Sequence, residues 1–130
     1  MLDHHAVAAW ARVQPYAQAL VWSAMEVGMS VVVPAAVLPL AYADTREQDH
    51  DVLCELLELP VTLFDPLTAA EARELGRVLA HAADPAALKL DALALAHVVH
   101  AAHRRGWSVL TGNATGLRAL DPSLDLDELP

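Results

Sequence analysis

The chain has 130 residues and a formal net charge of −9, from 17 Asp plus Glu against 8 Lys plus Arg. That field opposes a phosphate backbone, so a nucleic-acid partner needs a local basic patch or bound cations. With 55% hydrophobic and 19% charged residues the composition excludes disorder and fits a single globular domain, residues 1–130, large enough to bury one core.

The opening Met1-Leu2-Asp3-His4-His5 has no basic region ahead of an apolar run, so no signal peptide is expected and the protein is placed in the cytoplasm. Residues 27–43 carry no charge and could be mistaken for a membrane span. Pro34 and Pro39 lie inside that stretch and Glu26 and Asp44 bound it, so it reads as buried strand plus helix, and no membrane partner is expected. Cys54 is the only cysteine, which rules out an intrachain disulfide and suits a reducing compartment. It is expected as a small core residue.

Met1 to Asp3 is shorter than an ordinary strand of about five residues. Ala6 to Trp10 reads as helix, which puts Asp3 at a strand-to-helix turn. Pro15 suits the first turn of a second, weakly amphipathic helix that runs to Val27 and stops at Gly28. Ser30 to Val33, ended by Pro34, reads as a short, fully buried strand. The helix after it, Ala35 to Ala43, has Pro39 inside its register, where a missing N–H and a ring clash cost about 3 kcal/mol. An irregularity is expected there.

Thr45 with Gln48 has the spacing of a capping box for a helix up to Pro60. Val61 to Phe64 reads as the next strand, Asp65-Pro66 as a turn, and Thr68 with Glu71 as a second capping box for a helix through about Ala82. Asp84-Pro85 carries the cap-plus-proline signature of a further helix start. One long helix, Leu88 to Arg105, then has Asp91 near its beginning and breaks at Gly106. Trp107 to Leu110 is a short apolar strand, Thr111-Gly112-Asn113 a polar turn, and Leu124 to Leu129 adds one edge strand. This alternation predicts a doubly wound, three-layer α/β/α arrangement with a central parallel sheet. There is no internal repeat, and Thr111 to Gly116 is not a dinucleotide fingerprint.

In such a sheet the turns after neighbouring strands converge, so Asp3, the end of the Ser30 strand and Thr111 to Asn113 are expected to share one crevice, with Asp91 joining from its helix. Two carboxylates, an amide and a hydroxyl make a site suited to a hard cation. Each residue also has a plainer role. Asp3 can be an N-cap, Asp91 can complement the helix dipole, and Asn113 can be a turn residue. His97, His100 and His103 recur every third residue and fan across roughly 120° of a helix. That is too wide for one compact metal site, so they read as packed or surface histidines. His4 and His5, beside Asp3, are placed to touch substrate or metal. Arg104 and Arg105 suit the helix dipole or solvent.

The order of Leu2-Asp3-His4-His5-Ala6, Val32-Val33-Pro34-Ala35, Leu90 to Ala96 and Gly106 to Asn113 resembles a PIN domain, the fold of VapC-type toxin ribonucleases. The resemblance runs down to Asp127-Glu128-Leu129-Pro130. It implies Asp3 and Asp91 as metal ligands, with Asn113 and Thr111 completing the catalytic set, and Mg²⁺ or Mn²⁺ activating water against an RNA phosphodiester. It also implies a homodimer and inhibition by a small antitoxin. The family's second acid falls at about Pro39 and its last at Asn113, so two of four acids are replaced. Each carboxylate facing a cation supplies about 4 kcal/mol at 4 Å under an effective dielectric near 20, before desolvation. Two functions follow: a toxin-related endoribonuclease with reduced or lost catalysis, needing Mg²⁺ or Mn²⁺ if active and no cofactor if not, or a non-catalytic PIN-like module acting through an antitoxin, another protein partner or RNA.

Overall fold

Three consecutive β-branched residues and a proline form the first strand, β1 (Val31–Pro34), in which every residue is buried. A strand covered on both faces favours such an unbroken apolar run over alternation. β1 pairs in parallel with β2 (Thr62–Asp65), Val31 opposite Thr62 and Pro34 opposite Asp65. β3 (Val109–Thr111) pairs in parallel with β4 (Leu126–Glu128). The computed structural model describes residues 1–87 and 89–130, and in them the chain is mixed α/β with two small parallel sheets of two strands each. The β4 edge strand falls inside the predicted Leu124 to Leu129, while β3 begins two residues later than predicted and takes in Thr111.

Residues 1–3 bond to both sheets. Leu2 bridges Leu110 in parallel. Its N–H donates to the Val32 carbonyl at 2.9 Å, and the Leu110 N–H donates to the Met1 carbonyl at 2.8 Å. The Asp3 N–H donates in turn to the Leu110 carbonyl at 3.2 Å. Asp3 is thereby fixed level with the carboxyl ends of β1 and β3.

Helices α1 (His4–Ala11) and α2 (Pro15–Glu26) follow the bridging segment. Pro39 is accommodated as a break. A 3-10 turn at Ala35–Val37 gives way to α3 (Leu38–Ala43), so the proline stands in a first turn, where its missing N–H costs nothing. The predicted Thr45 capping box does not form. Thr45 Oγ1 donates back to the carbonyls of Ala41 and Tyr42 and closes α3, while α4 (His50–Glu58) begins later with no side-chain cap. Cys54 is exposed on α4, contrary to expectation, because Leu53 and Leu56 take the inward face. Its Sγ lies 3.4 Å from the Tyr42 hydroxyl.

Thr68 does cap α5 (Ala69–Ala80), accepting the Glu71 N–H at 3.3 Å, but the Glu71 carboxylate reaches Arg104 instead of completing the box. Asp84-Pro85 opens only a 3-10 turn, Pro85–Ala87. The long helix α6 (Ala92–Arg105) starts after Asp91, later than predicted; Leu88, its expected first residue, lies outside the described residues. α6 is buried from Ala94 to Val99 and again at Ala101 and Ala102, and it ends on Gly106 in the left-handed region, φ 65°. Small and β-branched side chains allow this close packing, so α6 runs through the core. A seventh helix, α7 (Ala114–Leu120), occupies a stretch to which the sequence pattern assigns no element. Among the described residues no helix is long and apolar enough to cross a membrane.

Candidate functional site

The turn after residues 1–3, the end of β3, the start of α6 and the start of α7 meet in one place, and hydrogen bonds link their polar side chains. Asp3 is fully buried. Its Oδ1 accepts the Ala6 N–H at 2.8 Å, capping α1, and its Oδ2 accepts the Thr111 hydroxyl at 2.5 Å. Thr111 Oγ1 accepts the Asn113 N–H at 2.8 Å. The Asn113 side chain then divides its two ends: Oδ1 accepts the Gly116 N–H at 2.9 Å, and Nδ2 donates to Asp91 Oδ2 at 2.8 Å. The Gly116 N–H can only donate, so it fixes which end of the amide faces Asp91.

Asp3, Thr111, Asn113 and Asp91 therefore form one chain, as the crevice argument predicts. Asp3 and Asn113 are N-caps as well as members of this chain. Asp91 stands at the N-cap position of α6 with no capping bond of its own, its side chain going to Asn113. Gly116 is required by proximity: a Cβ there would lie 2.6 Å from Asn113 Nδ2 and 2.7 Å from Leu95. A cleft of about 490 Å³ opens beside the chain, lined by His4, His5, Leu40, Lys89, Asp91 and Asn113 among others. Burial holds the His4 imidazole pKa below its usual value, and His5 alongside pushes the same way, while Asp3, Asp91 and Asp44 pull against them.

These residues do not make a cage for Mg²⁺ or Mn²⁺. Both Asp3 oxygens are taken by protein donors, and Asn113 presents its amide N–H, not its oxygen, to Asp91. Pro39 offers no side-chain donor and lines an adjoining apolar groove with Ala36, Leu40, Leu67, Leu90 and Leu93, of which Leu40 and Leu90 also line the cleft. Leu90 and Leu93 are exposed there, and Leu63 and Phe64 of the edge strand β2 are exposed as well.

A second polar cluster joins Asp65, expected in a turn, to the helix-end arginines, expected to serve the helix dipole or solvent. Asp65 ends β2 and is 1% exposed. Its Oδ1 accepts from Arg104 at 2.5 Å and from Arg105 at 2.8 Å, and its Oδ2 lies 3.3 Å from His97 Nε2 without hydrogen-bond alignment. Burial pushes the Asp65 carboxyl pKa up, but Arg105, Arg104 and His97 outweigh it and hold the group below the usual carboxylate range. His97 is wholly buried, and burial lowers its pKa more than Asp65 raises it. Its Nδ1 accepts the Ala36 N–H at 3.3 Å, which places the ring proton on Nε2 toward Asp65. The available signal was the spacing of His97, Arg104 and Arg105, which share a face of α6. His100 is half-buried and His103 exposed, the latter bonded to Asp121 at 2.5 Å, so the three histidines diverge as their spacing predicts. Compared with protein-family models, with curated proteins and with solved structures, the chain matches none.

Proposed function

We propose that this chain is a PIN-like, VapC-related protein, kin to the metal-dependent endoribonucleases of toxin–antitoxin systems, in which catalysis is reduced or lost. What carries this reading is the chain from Asp3 through Thr111 and Asn113 to Asp91. Three of the four acid positions of the resemblance, Asp3, Asp91 and Asn113, are joined through Thr111 in one hydrogen-bonded chain, Pro39 standing outside it, and an amide donor meets Asp91 where a cation would otherwise be needed. The backbone bonds of residues 1–3 to both β1 and β3 support a single parallel sheet in the order β2, β1, residues 1–3, β3, β4, with helices on both faces as a third layer requires.

Without a second free carboxylate the site lacks the negative charge that binds Mg²⁺ or Mn²⁺ and steadies a metal-bound hydroxide. The apolar groove beside Pro39, with Leu90 and Leu93 exposed, favours the companion reading, a PIN-like module that acts through a protein partner, an antitoxin or a second copy of itself.

The test is an assay of the purified chain on structured RNA with Mn²⁺. Little or no cleavage is expected from the wild type, and Pro39→Glu combined with Asn113→Asp is expected to produce metal-dependent cleavage that Asp91→Asn then abolishes. Vigorous wild-type cleavage that survives Asp3→Asn and Asp91→Asn would remove the site assignment. Failure of the double variant to bind Mn²⁺ while folded would remove the PIN-like reading of Pro39 and Asn113.

A further inference from the structure

We propose that His4, His5 and Asp44 bind one divalent transition-metal cation of the zinc type at the rim of the Asp91 cleft, through ligands separate from the acidic positions discussed above. A ring nitrogen of each histidine and a carboxylate oxygen of Asp44 all lie within 4.8 Å of one another. His5 Nδ1 and Asp44 Oδ2 are 3.9 Å apart. Ligand atoms around a tetrahedral zinc ion, with bonds near 2.0–2.1 Å, are roughly 3.3 Å apart. Shortening these separations by about 0.6–1.5 Å, through movement of His5 and Asp44 at the surface and release of Asp44 Oδ2 from the Arg12 guanidinium 3.7 Å away, gives that geometry.

The histidines are brought together by local geometry, and one buried ring nitrogen is left without a partner among the described residues. Adjacent residues of a helix do not face each other, yet the His4 and His5 rings sit with centroids 3.9 Å apart in the first turn of α1. His4 is also 6% exposed, and its Nδ1 is buried with no hydrogen-bond partner among the described residues. A buried imidazole nitrogen ordinarily has a partner. Gly112 makes the arrangement possible, since a Cβ at that position would come within 2.7 Å of His5 Cβ. Arg12 donates to the Asp44 main-chain carbonyl and holds the end of α3 beside α1.

Two imidazoles and one carboxylate suit Zn²⁺, Co²⁺ or Ni²⁺, whereas Mg²⁺ requires an octahedron of oxygens. Three protein ligands leave a fourth position for water or another small donor. His4 and His5 line the same cleft as Asp91, so that position opens onto the cleft. The site does not depend on the nuclease kinship, because none of its ligands is an acid that the resemblance assigns.

Untagged protein titrated with Co²⁺, followed by visible absorption and by competition with Zn²⁺ and Mg²⁺, tests this. The expected result is one Co²⁺ per chain, displaced by Zn²⁺ and not by Mg²⁺. Because His4→Ala opens a buried position, the diagnostic variants are His5→Gln and Asp44→Asn, with folding checked by circular dichroism. Each is expected to weaken binding by about tenfold or more, while Asp91→Asn retains it. No uptake by the wild type, wild-type affinity in both surface variants, or loss of uptake in Asp91→Asn alone would each overturn the proposal.

Discussion

Two carboxylates stand at strand ends in this molecule, Asp3 after the first segment and Asp65 after β2, and they are stabilised in opposite ways. Asp3 is met by neutral donors, an amide N–H and a hydroxyl, and continues through Asn113 to Asp91. Asp65 is met by two guanidinium groups and a histidine. Both clusters draw on α6, one from its first residue boundary and the other from its later turns. A buried charge needs either a counter-charge or several dipoles aimed at it. The cationic solution neutralises the buried carboxylate with two guanidinium groups, although Asp65 Oδ2 and His97 Nε2 keep no aligned hydrogen bond among the described residues. The dipolar solution leaves net negative charge beside an open cleft, which is why the Asp3 side is the candidate site and the Asp65 side reads as a structural lock.

The sharpest way to break the comparison is to remove the lock. Asp65→Ala leaves the half-buried Arg105 without its counter-charge and the fully buried, neutral His97 ring without its carboxylate neighbour, and is expected to cost about 3–4 kcal/mol in urea unfolding. A loss below about 1 kcal/mol would show that the arginines simply turn to solvent.

Acid should weaken the same cluster in two stages. The folded His97 pKa lies below its ordinary 6.5, so the unfolded chain takes up a proton that the folded chain refuses. Its contribution is complete above about pH 6.5 and declines as pH falls through the folded value. The depressed Asp65 pKa adds a second decline that begins near its ordinary value of 3.8 and continues to the folded one. Unfolding measured across this range should show a smaller upper step in His97→Gln; an unchanged step would assign it to His4 or to the Met1 ammonium, whose pKa values are lowered as well.

Asp3→Ala comes next, at about 2–3 kcal/mol, because it removes an N-cap and leaves the Ala6 N–H and Thr111 hydroxyl buried without their acceptor. Asp3→Asn retains one acceptor oxygen and should cost less. Equal losses for the two would mean that the charge itself, and not the cap, holds this corner together.

The Asp3 side was legible in the sequence because its members follow the strand-end rule: Asp3 and Thr111 directly follow short apolar runs, Asn113 lies two residues past Thr111, and Asp91 precedes a long helical run. The Asp65 cluster was not, since a carboxylate before proline carries the same signature whether it turns toward solvent or toward a helix contributed by residues 97–105. The same limit explains α7. Thr115 and Gly116 are poor helix formers, and the helix is set by the Asn113 cap and by packing of Leu117 and Leu120 into the core. Asp84-Pro85 erred the other way: a sound local start signal yields a 3-10 turn, and the α-helix waits until Ala92. Cys54 failed for a simpler reason, because a 100° step along α4 separates it from Leu53. Local pattern identifies the elements; which polar side chain finds which partner depends on contacts between segments far apart in sequence.

Asn113→Asp is the smallest expected change and the most informative about the candidate site. Aspartate caps helices as well as asparagine does, so the bond to the Gly116 N–H survives. What changes is the other end, where a donor 2.8 Å from Asp91 becomes a second carboxylate. Asp91 is only half-buried, so solvent screens much of the repulsion, and a cost of about 1 kcal/mol is expected in metal-free buffer. A cation placed between the two carboxylates reverses the sign of that interaction. Mn²⁺ should therefore raise the stability of Asn113→Asp while leaving the wild type unchanged, and thermal unfolding with and without the ion measures the difference. Equal responses in the two proteins would mean that the amide does not take the place of a metal, and the Asp91 cleft would lose its connection to cation chemistry.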